Sequence, residues 1–248
     1  MTYIYTDGIT LDWPAPPKVR AFITPRVGGV SVGAYASMNP ADHVSDDPQA
    51  VASNRKIIRS ALPSEPHWLK QVHSAKVYRI NGNPQVVPEA DASVSALLNQ
   101  VCVVLTADCL PVLFCADDGT EVGAAHAGWR GLAAGILEQT VRAMALPGER
   151  LLAYLGPAIG PSAFEVGPEV RAEFMKTDAQ AAAAFKSVAG SDKYLADIYL
   201  LARQRLARVG VTRIFGGDFC TYAEPQRFFS YRRDGATGRM ASMIWLDK

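Results

Sequence analysis

The sequence is poor in the residues that several function classes require. Its 248 residues include four histidines and four cysteines. No two cysteines stand as a Cys-x-x-Cys pair, so Cys102, Cys109, Cys115 and Cys220 do not make a disulfide framework and are expected to be reduced. An excess of either charge is also missing, with 25 Lys and Arg against 24 Asp and Glu. Bulk charge therefore gives no reason to expect nucleic acid or an anionic membrane as partner, and an anionic substrate would have to be met by local arginines. Long apolar runs are absent too. The uncharged stretch 92–107 is shorter than a membrane span and contains Ser, Asn and Gln. The start, MTYIYTDGITLDWP, lacks a basic segment followed by an apolar one, so no secretory signal is read and a soluble cytoplasmic protein is expected. Without repeats, linkers or low-complexity segments, residues 1–248 read as one domain, long enough to bury a large core.

What is present centres on residues 106–136, TADCLPVLFCADDGTEVGAAHAGWRGLAAGI. An ordinary buried strand is a continuous Val/Ile/Leu stretch. Here Asp108-Cys109 cuts VCVVLTA from LPVLFCA, and His126 closes VGAAHAG just before a turn, which makes Asp108, Cys109 and His126 the first candidates for chemistry. The helical spacing of Leu132, Ile136, Leu137, Thr140, Val141 and Met144 predicts a helix over 131–145. Its start, GWRG, puts free backbone N–H groups and Arg130 beside His126, an arrangement that suits an anion.

The remaining chain supplies scaffold and further candidates. Residues 19–23 read as a strand ending in TPRVGGVS, where Arg26 stands beside two glycines and could grip an anion. Asp47 with Pro48 opens a helix whose apolar face is Val51, Ile57, Ile58 and Leu62. HWLKQVHSAKVYRI reads as a strand, or one broken at its middle, and carries His73; His43 and His67 lie in loop-like sequence and are expected at the surface. Asp91, in PEADASVS, either turns the chain or supports a metal ligand, with the turn slightly preferred. DKYLADIYLLARQRLARVG reads as an amphipathic helix with Leu195, Ile198, Tyr199, Ala202 and Leu206 on one face. RFFSYRRDGATGRMASMIWL reads as a hairpin whose Arg232, Arg233 and Arg239 are either a solvated face or an anion clamp. Strands interspersed with helices predict a mixed α/β domain.

One cysteine and two histidines from separate segments make a three-ligand set, and zinc with three protein ligands keeps a fourth position for water or substrate. A rival reading makes Cys109 a thiolate nucleophile activated by His126, with Asp108 or another carboxylate orienting the imidazole. A third is a His₂Cys copper site, which would want an axial methionine. From the residues alone, metal hydrolysis ranks first and cysteine catalysis second.

QVHSAKV, TADCLPVLF, AAHAGWRGLAAGI, LGPAIGP, DKYLADIYLLARQRL, FGGDFCTY and SYRRDGATGRMASMIWL together resemble the YfiH-like family, known as polyphenol oxidases or laccases, as peptidoglycan editing factors and as purine nucleoside phosphorylases. The likeness runs from TPRVGGVS to the C-terminus. It implies a layered α/β sandwich with mixed sheets, of the kind shared with cytotoxic necrotizing factor catalytic domains, and a zinc site at His73, Cys109 and His126. It also implies phosphorolysis of adenosine, inosine, guanosine and methylthioadenosine to the free base and a pentose 1-phosphate, together with adenosine deamination. The His-x-Glu and Pro-Cys-x-x-Cys signature of familiar zinc deaminases is absent, so deamination would use another constellation.

The family's labels can be ranked physically. A multicopper centre needs on the order of ten histidines, and four cannot supply it, although copper can enter a Cys/His₂ site because it binds such donors tightly. The resulting expectation is a zinc site, with copper possible, next to phosphate-holding Arg26, Arg130, Arg232 and Arg233, and with Asp108 orienting ligands or moving a proton. A copper polyphenol oxidase, or a hydrolase of cell-wall precursors using Cys109 and His126, is the alternative.

Overall fold

The computed structural model describes residues 8–82 and 86–248; residues 1–7, on which the reading of the start partly rests, lie outside them. In chain order the elements are β1 (Val19–Ile23), α1 (Pro48–Arg59), β2 (Pro66–His67), β3 (Val77–Arg79), β4 (Ala92–Ser95), β5 (Val101–Thr106), β6 (Leu110–Ala116) and β7 (Val122–Ala127). Then come α2 (Trp129–Ala134), α3 (Ile136–Ala143), β8 (Leu151–Leu155), β9 (Glu165–Val166), α4 (Pro168–Met175), β10 (Phe185–Ser187) and β11 (Tyr194–Ala196). The chain ends with α5 (Ile198–Arg208), β12 (Arg213–Gly216), α6 (Tyr231–Asp234) and β13 (Met240–Leu246).

Two mixed sheets dominate: β1-β13-β5-β2 and β12-β8-β6-β7-β4-β3, with β10-β11-β9 as a small third. Alternation along the strands builds the layers, because successive side chains of a strand face opposite ways. On β5, Val101, Val103 and Leu105 face outward with Ala241, Met243 and Trp245 of β13, and Ile58 of α1 covers them. Cys102 and Val104 face inward, meeting Leu113, Cys115, Val122, Ala124 and Leu152 of the larger sheet. The other face of β6, with Val112, Phe114 and Ala116, packs on Leu132, Ile136, Leu137 and Val141 and on Ile198, Leu201 and Leu206 of α5. The result is helix, sheet, sheet, helix: the layered α/β sandwich expected.

Local chemistry explains most boundaries. Asp47 caps α1, its Oδ1 accepting the Gln49 N–H at 3.1 Å. The helix expected over 131–145 is instead two, broken at Gly135, which takes φ +93°. At the break the carbonyls of Leu132 and Ala133 accept from the buried Arg205 guanidinium, which also lies 3.2 Å from Glu138. Leu195 belongs to β11 and not to the helix expected there; α5 starts after Asp197, whose Oδ1 accepts the Leu200 N–H.

Two further expectations are corrected. Residues 227–246 do not form a hairpin: Ser230 caps the short α6, and β13 pairs with β1 and β5 on either side, Ile244 lying opposite both Ala21 and Cys102. His67 is buried, in β2, with Nε2 2.6 Å from Gln100 Oε1. Among the described residues no helix is long and apolar enough to cross a membrane.

Candidate metal centre

Cys109 stands where the chain changes sheets. β5 runs in the smaller of the two large sheets and β6 in the larger, so residues 107–109 turn a corner between layers. Asp108 takes φ +85° to make it, a conformation that Asp tolerates better than most residues. Its carboxylate braces the corner, Oδ1 accepting the Thr221 hydroxyl and Oδ2 the Arg232 backbone N–H, both at 2.6 Å. The Asp108 carbonyl accepts the Ile159 N–H at 3.0 Å. The polar interruption seen in the sequence is thus a structural corner as well as a candidate site.

His73 and His126 are placed by one buried carboxylate. Asp91 is fully buried at the entry to β4, and it accepts the backbone N–H groups of Val72 (3.3 Å), His73 (2.9 Å) and Ser74 (2.6 Å) and the Ser74 hydroxyl (2.7 Å). Those donors shape the 72–74 loop, with His73 at φ +59°, where the sequence suggested a strand or its interruption. The same Oδ1 that takes the His73 N–H lies 2.9 Å from His126 Nδ1. An ionised carboxylate can only accept, so Nδ1 carries a hydrogen and Nε2 is the nitrogen that would ligate a metal after giving up its proton. Burial alone would raise the Asp91 pKa; the bonds from His126 and Ser74 outweigh it and hold the group at about 2. The alternative of a ligand-supporting Asp91, ranked second from sequence, is the geometry found.

The three candidate ligand atoms, from His73, Cys109 and His126, all lie within 4.8 Å of one another. Cys109 Sγ is 3.9 Å from His73 Nε2, and the two imidazole rings meet edge to face at 4.7 Å between centroids. Tetrahedral zinc with bonds of about 2.0–2.3 Å sets its ligand atoms roughly 3.3–3.8 Å apart, so a slight closing of the set accommodates the ion. Gly128 keeps that space clear: a Cβ there would stand 2.8 Å from Cys109 Sγ, 3.0 Å from His73 Cδ2 and 3.6 Å from His126 Nε2. Burial pushes the Cys109 thiol up, but the charges and hydrogen bonds of His126 and His73 prevail and bring it down to about 6. His126 moves oppositely: burial lowers it, and Cys109 and Asp91 more than reverse that, to about 9. The pair is electrostatically set up as thiolate and imidazolium, ready to exchange a proton for a cation.

A cleft of about 460 Å³ opens over the three ligands, within the range of small-molecule sites of roughly 300–1,000 Å³. Its walls include Trp129, Phe164, Ile159, Ile198 and Tyr231, with Arg232, Arg239 and His43 among the polar groups. His43, expected at the surface, is exposed and also lines the cleft.

The expected phosphate-binding arginines separate. Arg232 lines the cleft, whereas Arg26, Arg130 and Arg233 do not. Arg26 donates to the carbonyls of Ala36 and Pro225 and lies 4.0 Å from Asp234. Arg233 pairs with Asp234 at 2.7 Å and donates to the carbonyls of Thr221, Tyr222 and Phe228. Arg130 is exposed and stacked over Trp129 at 4.5 Å. The anion site expected at the helix start gets no side chain from Arg130. Sequence reasoning also passed over Gln71, whose side chain pairs with the backbone N–H and C=O of Leu105 like a short piece of strand, and Thr221 on Asp108. An isolated Gln or Thr carries no sequence signal for such roles.

Known proteins resemble this chain throughout. A family model described as multi-copper polyphenol oxidoreductase laccase matches residues 20–247. The chain is 59% identical to the purine nucleoside phosphorylase YfiH of Escherichia coli strain K12, over 96% of this chain and 98% of that one. It is 53% identical to a purine nucleoside phosphorylase of Pseudomonas aeruginosa, with the same coverage. Among solved structures, a Neisseria meningitidis protein superimposes with a TM-score of 0.94 at 52% identity, covering 98% of this chain and all of the other. YlmD from Geobacillus stearothermophilus does so with 0.89 at 30% identity, covering 98% and 97%. A sandwich whose inter-sheet corner, strand end and carboxylate-shaped loop bring Cys, His and His together, in a chain matched nearly end to end, belongs to the YfiH-like family of the multi-copper polyphenol oxidoreductase laccase model.

Proposed function

We propose that the chain is a zinc-dependent purine nucleoside phosphorylase acting on adenosine, inosine, guanosine and methylthioadenosine, with adenosine deamination as a second activity. The observation that carries the reading is the convergence of His73, Cys109 and His126 at the floor of a cleft walled by Trp129, Phe164 and Tyr231. One thiolate and two imidazoles suit zinc, and the close relatives named purine nucleoside phosphorylase match nearly the whole chain. When bound, the ion supplies a Lewis acid with one coordination position open.

The chain's own groups do the rest. Asp91 fixes the His126 tautomer and the 72–74 loop. Aromatic walls offer faces on which a purine can stack. Arg232 meets the phosphate, and Asp108 holds the Arg232 backbone and the Cys109 corner in register. In the reaction a phosphate oxygen bonds to the anomeric carbon as the bond to the purine nitrogen breaks. That electron pair leaves with the base, which takes up the proton lost by hydrogen phosphate.

A copper reading draws support from the family description, but a multicopper centre is not compatible with these residues. His67 is committed to Gln100 within the smaller large sheet, and a single three-ligand cluster is present among the described residues. Copper in this chain would share the same three ligands. Elemental analysis of purified protein, followed by incubation with adenosine plus phosphate, with a phenol and with cell-wall precursors, separates zinc phosphorolysis from copper oxidation and precursor hydrolysis. Cys109→Ala should lose bound zinc and phosphate-dependent base release together; full activity without metal would sink the proposal.

A further inference from the structure

Asp234 divides the arginines around the cleft into two groups. Arg233 lies 2.7 Å and Arg26 4.0 Å from its carboxylate, which offsets part of their combined charge. Arg232 and Arg239 line the cleft, and no carboxylate among the described residues lies within ion-pair distance of either. The one acidic side chain in the lining, Asp108, has both oxygens occupied by Thr221 and by the Arg232 backbone.

Arg239 is held without a direct ion pair, although Cys109 and Asp108 attract its charge from a distance. Its Nη1 donates to the carbonyls of Thr237 and Gly238 at 2.8 and 3.0 Å, and its backbone N–H donates to Asn39 Oδ1 at 3.0 Å. Nε and Nη2 have no partner among the described residues. The backbone leading to it has no slack: a Cβ on Gly238 would come within 3.0 Å of Phe229 and Asn39. Arg232 is more exposed, with Nη1 on the Ala163 carbonyl and the guanidinium 5.8 Å from the Phe164 ring centroid. Carbonyl dipoles orient a guanidinium but leave its full charge for a ligand, and a planar fork of N–H donors matches the oxygens of a phosphate.

We propose that Arg239, with Arg232, forms the site for inorganic phosphate, Arg239 being the residue that selects phosphate as the acceptor. The inference rests on the phosphorylase reading for its role in turnover, and on geometry for the anion site itself. Phosphate bound there shares the cleft with the His73, Cys109 and His126 set, so acceptor and nucleoside meet in one enclosure. An ordinary solvated arginine would instead be exposed and mobile, whereas Arg239 is partly buried and fixed at three points.

The test uses zinc-loaded full-length protein and inorganic phosphate as probe. Calorimetric titration of phosphate, and KM for phosphate and for inosine separately, are measured for the wild type, Arg239→Met, Arg239→Lys and Arg232→Met. Loss of a charge-assisted donor pair should raise the phosphate Kd and KM by roughly 10- to 100-fold in Arg239→Met, with a smaller rise in Arg232→Met. The inosine KM and the zinc content should stay within about twofold, and Arg239→Lys should recover part of the loss. A phosphate KM unchanged in both Met variants overturns the assignment. So does an equal rise for phosphate and inosine, which would mark a structural role. If the wild type binds phosphate through Arg239 but cleaves no nucleoside, the phosphorylase reading fails and the anion site stands.

Discussion

Asp91 Oδ1 accepts a hydrogen bond from His126 Nδ1 at 2.9 Å and another from the backbone N–H of His73 at 2.9 Å, so one oxygen sets the direction of two candidate ligands. The carboxylate therefore does for this site what neither histidine does alone. It fixes a tautomer at one and a backbone conformation at the other.

Asp91→Asn tests that coupling. The amide keeps the shape but puts an NH2 where either His73 and His126 donate, at Oδ1, or Val72 and Ser74 donate, at Oδ2. Zinc affinity should fall by about 10- to 100-fold. A competition titration against a chromophoric chelator reads this directly, and an affinity within twofold of the wild type would contradict it.

Gly128→Ala probes the space between the ligands. Gly128 has φ −62°, so alanine is allowed by the backbone, but its Cβ would stand 2.8 Å from Cys109 Sγ. We expect zinc per chain to drop sharply and the metal-free thermal midpoint to move little. Full zinc occupancy by elemental analysis would show that the ligands can step aside.

Tyr199→Phe tests a buried hydroxyl next in the chain to Ile198 of the cleft wall. The Tyr199 hydroxyl oxygen accepts the Ala158 N–H at 2.8 Å and lies 3.1 and 2.9 Å from the carbonyls of Gly156 and Phe219. Phenylalanine leaves a buried N–H unsatisfied, at a cost of about 1–3 kcal/mol. Urea denaturation should show a lower midpoint at unchanged slope. An unaltered midpoint would mean that water or a local shift supplies the missing partner.

Removing metal should lower stability in step with affinity. A ligand that binds only the folded chain at about a hundredfold over its Kd adds roughly 2.7 kcal/mol. Calorimetric scans with and without zinc should therefore differ for the wild type and coincide for Cys109→Ala. A zinc-induced rise that survives in that variant would place the ion elsewhere.

Much of the site was legible in the sequence because buried strands tolerate few polar residues. Asp108 and Cys109 stood out between two apolar runs, and the cause is the passage from one sheet to the other. His126 stood out at a strand end for a similar reason. The 72–74 loop was less legible: its backbone donors go to Asp91, a contact 17 to 19 residues away that no local pattern announces. The arginines were least legible. Arg26 and Arg233 reach Asp234 while Arg130 stacks on Trp129, and Arg26 and Asp234 are more than two hundred positions apart. The expected hairpin failed because β13 finds its partners in β1 and β5 and not in the preceding segment. Leu195 has helical spacing with Ile198 and Tyr199, but the helix starts only after the Asp197 cap.

The corner at residues 107–109 also fixes a sequence of events. His73, Cys109 and His126 come from a loop, an inter-sheet turn and the end of a strand, and they approach one another once the two sheets have docked. A nascent chain thus has no local chelating segment of the zinc-finger kind with which to catch an ion early. Under the zinc reading proposed above, maturation runs from assembled layers to metal, and a folded apoprotein is the species that competes for the ion.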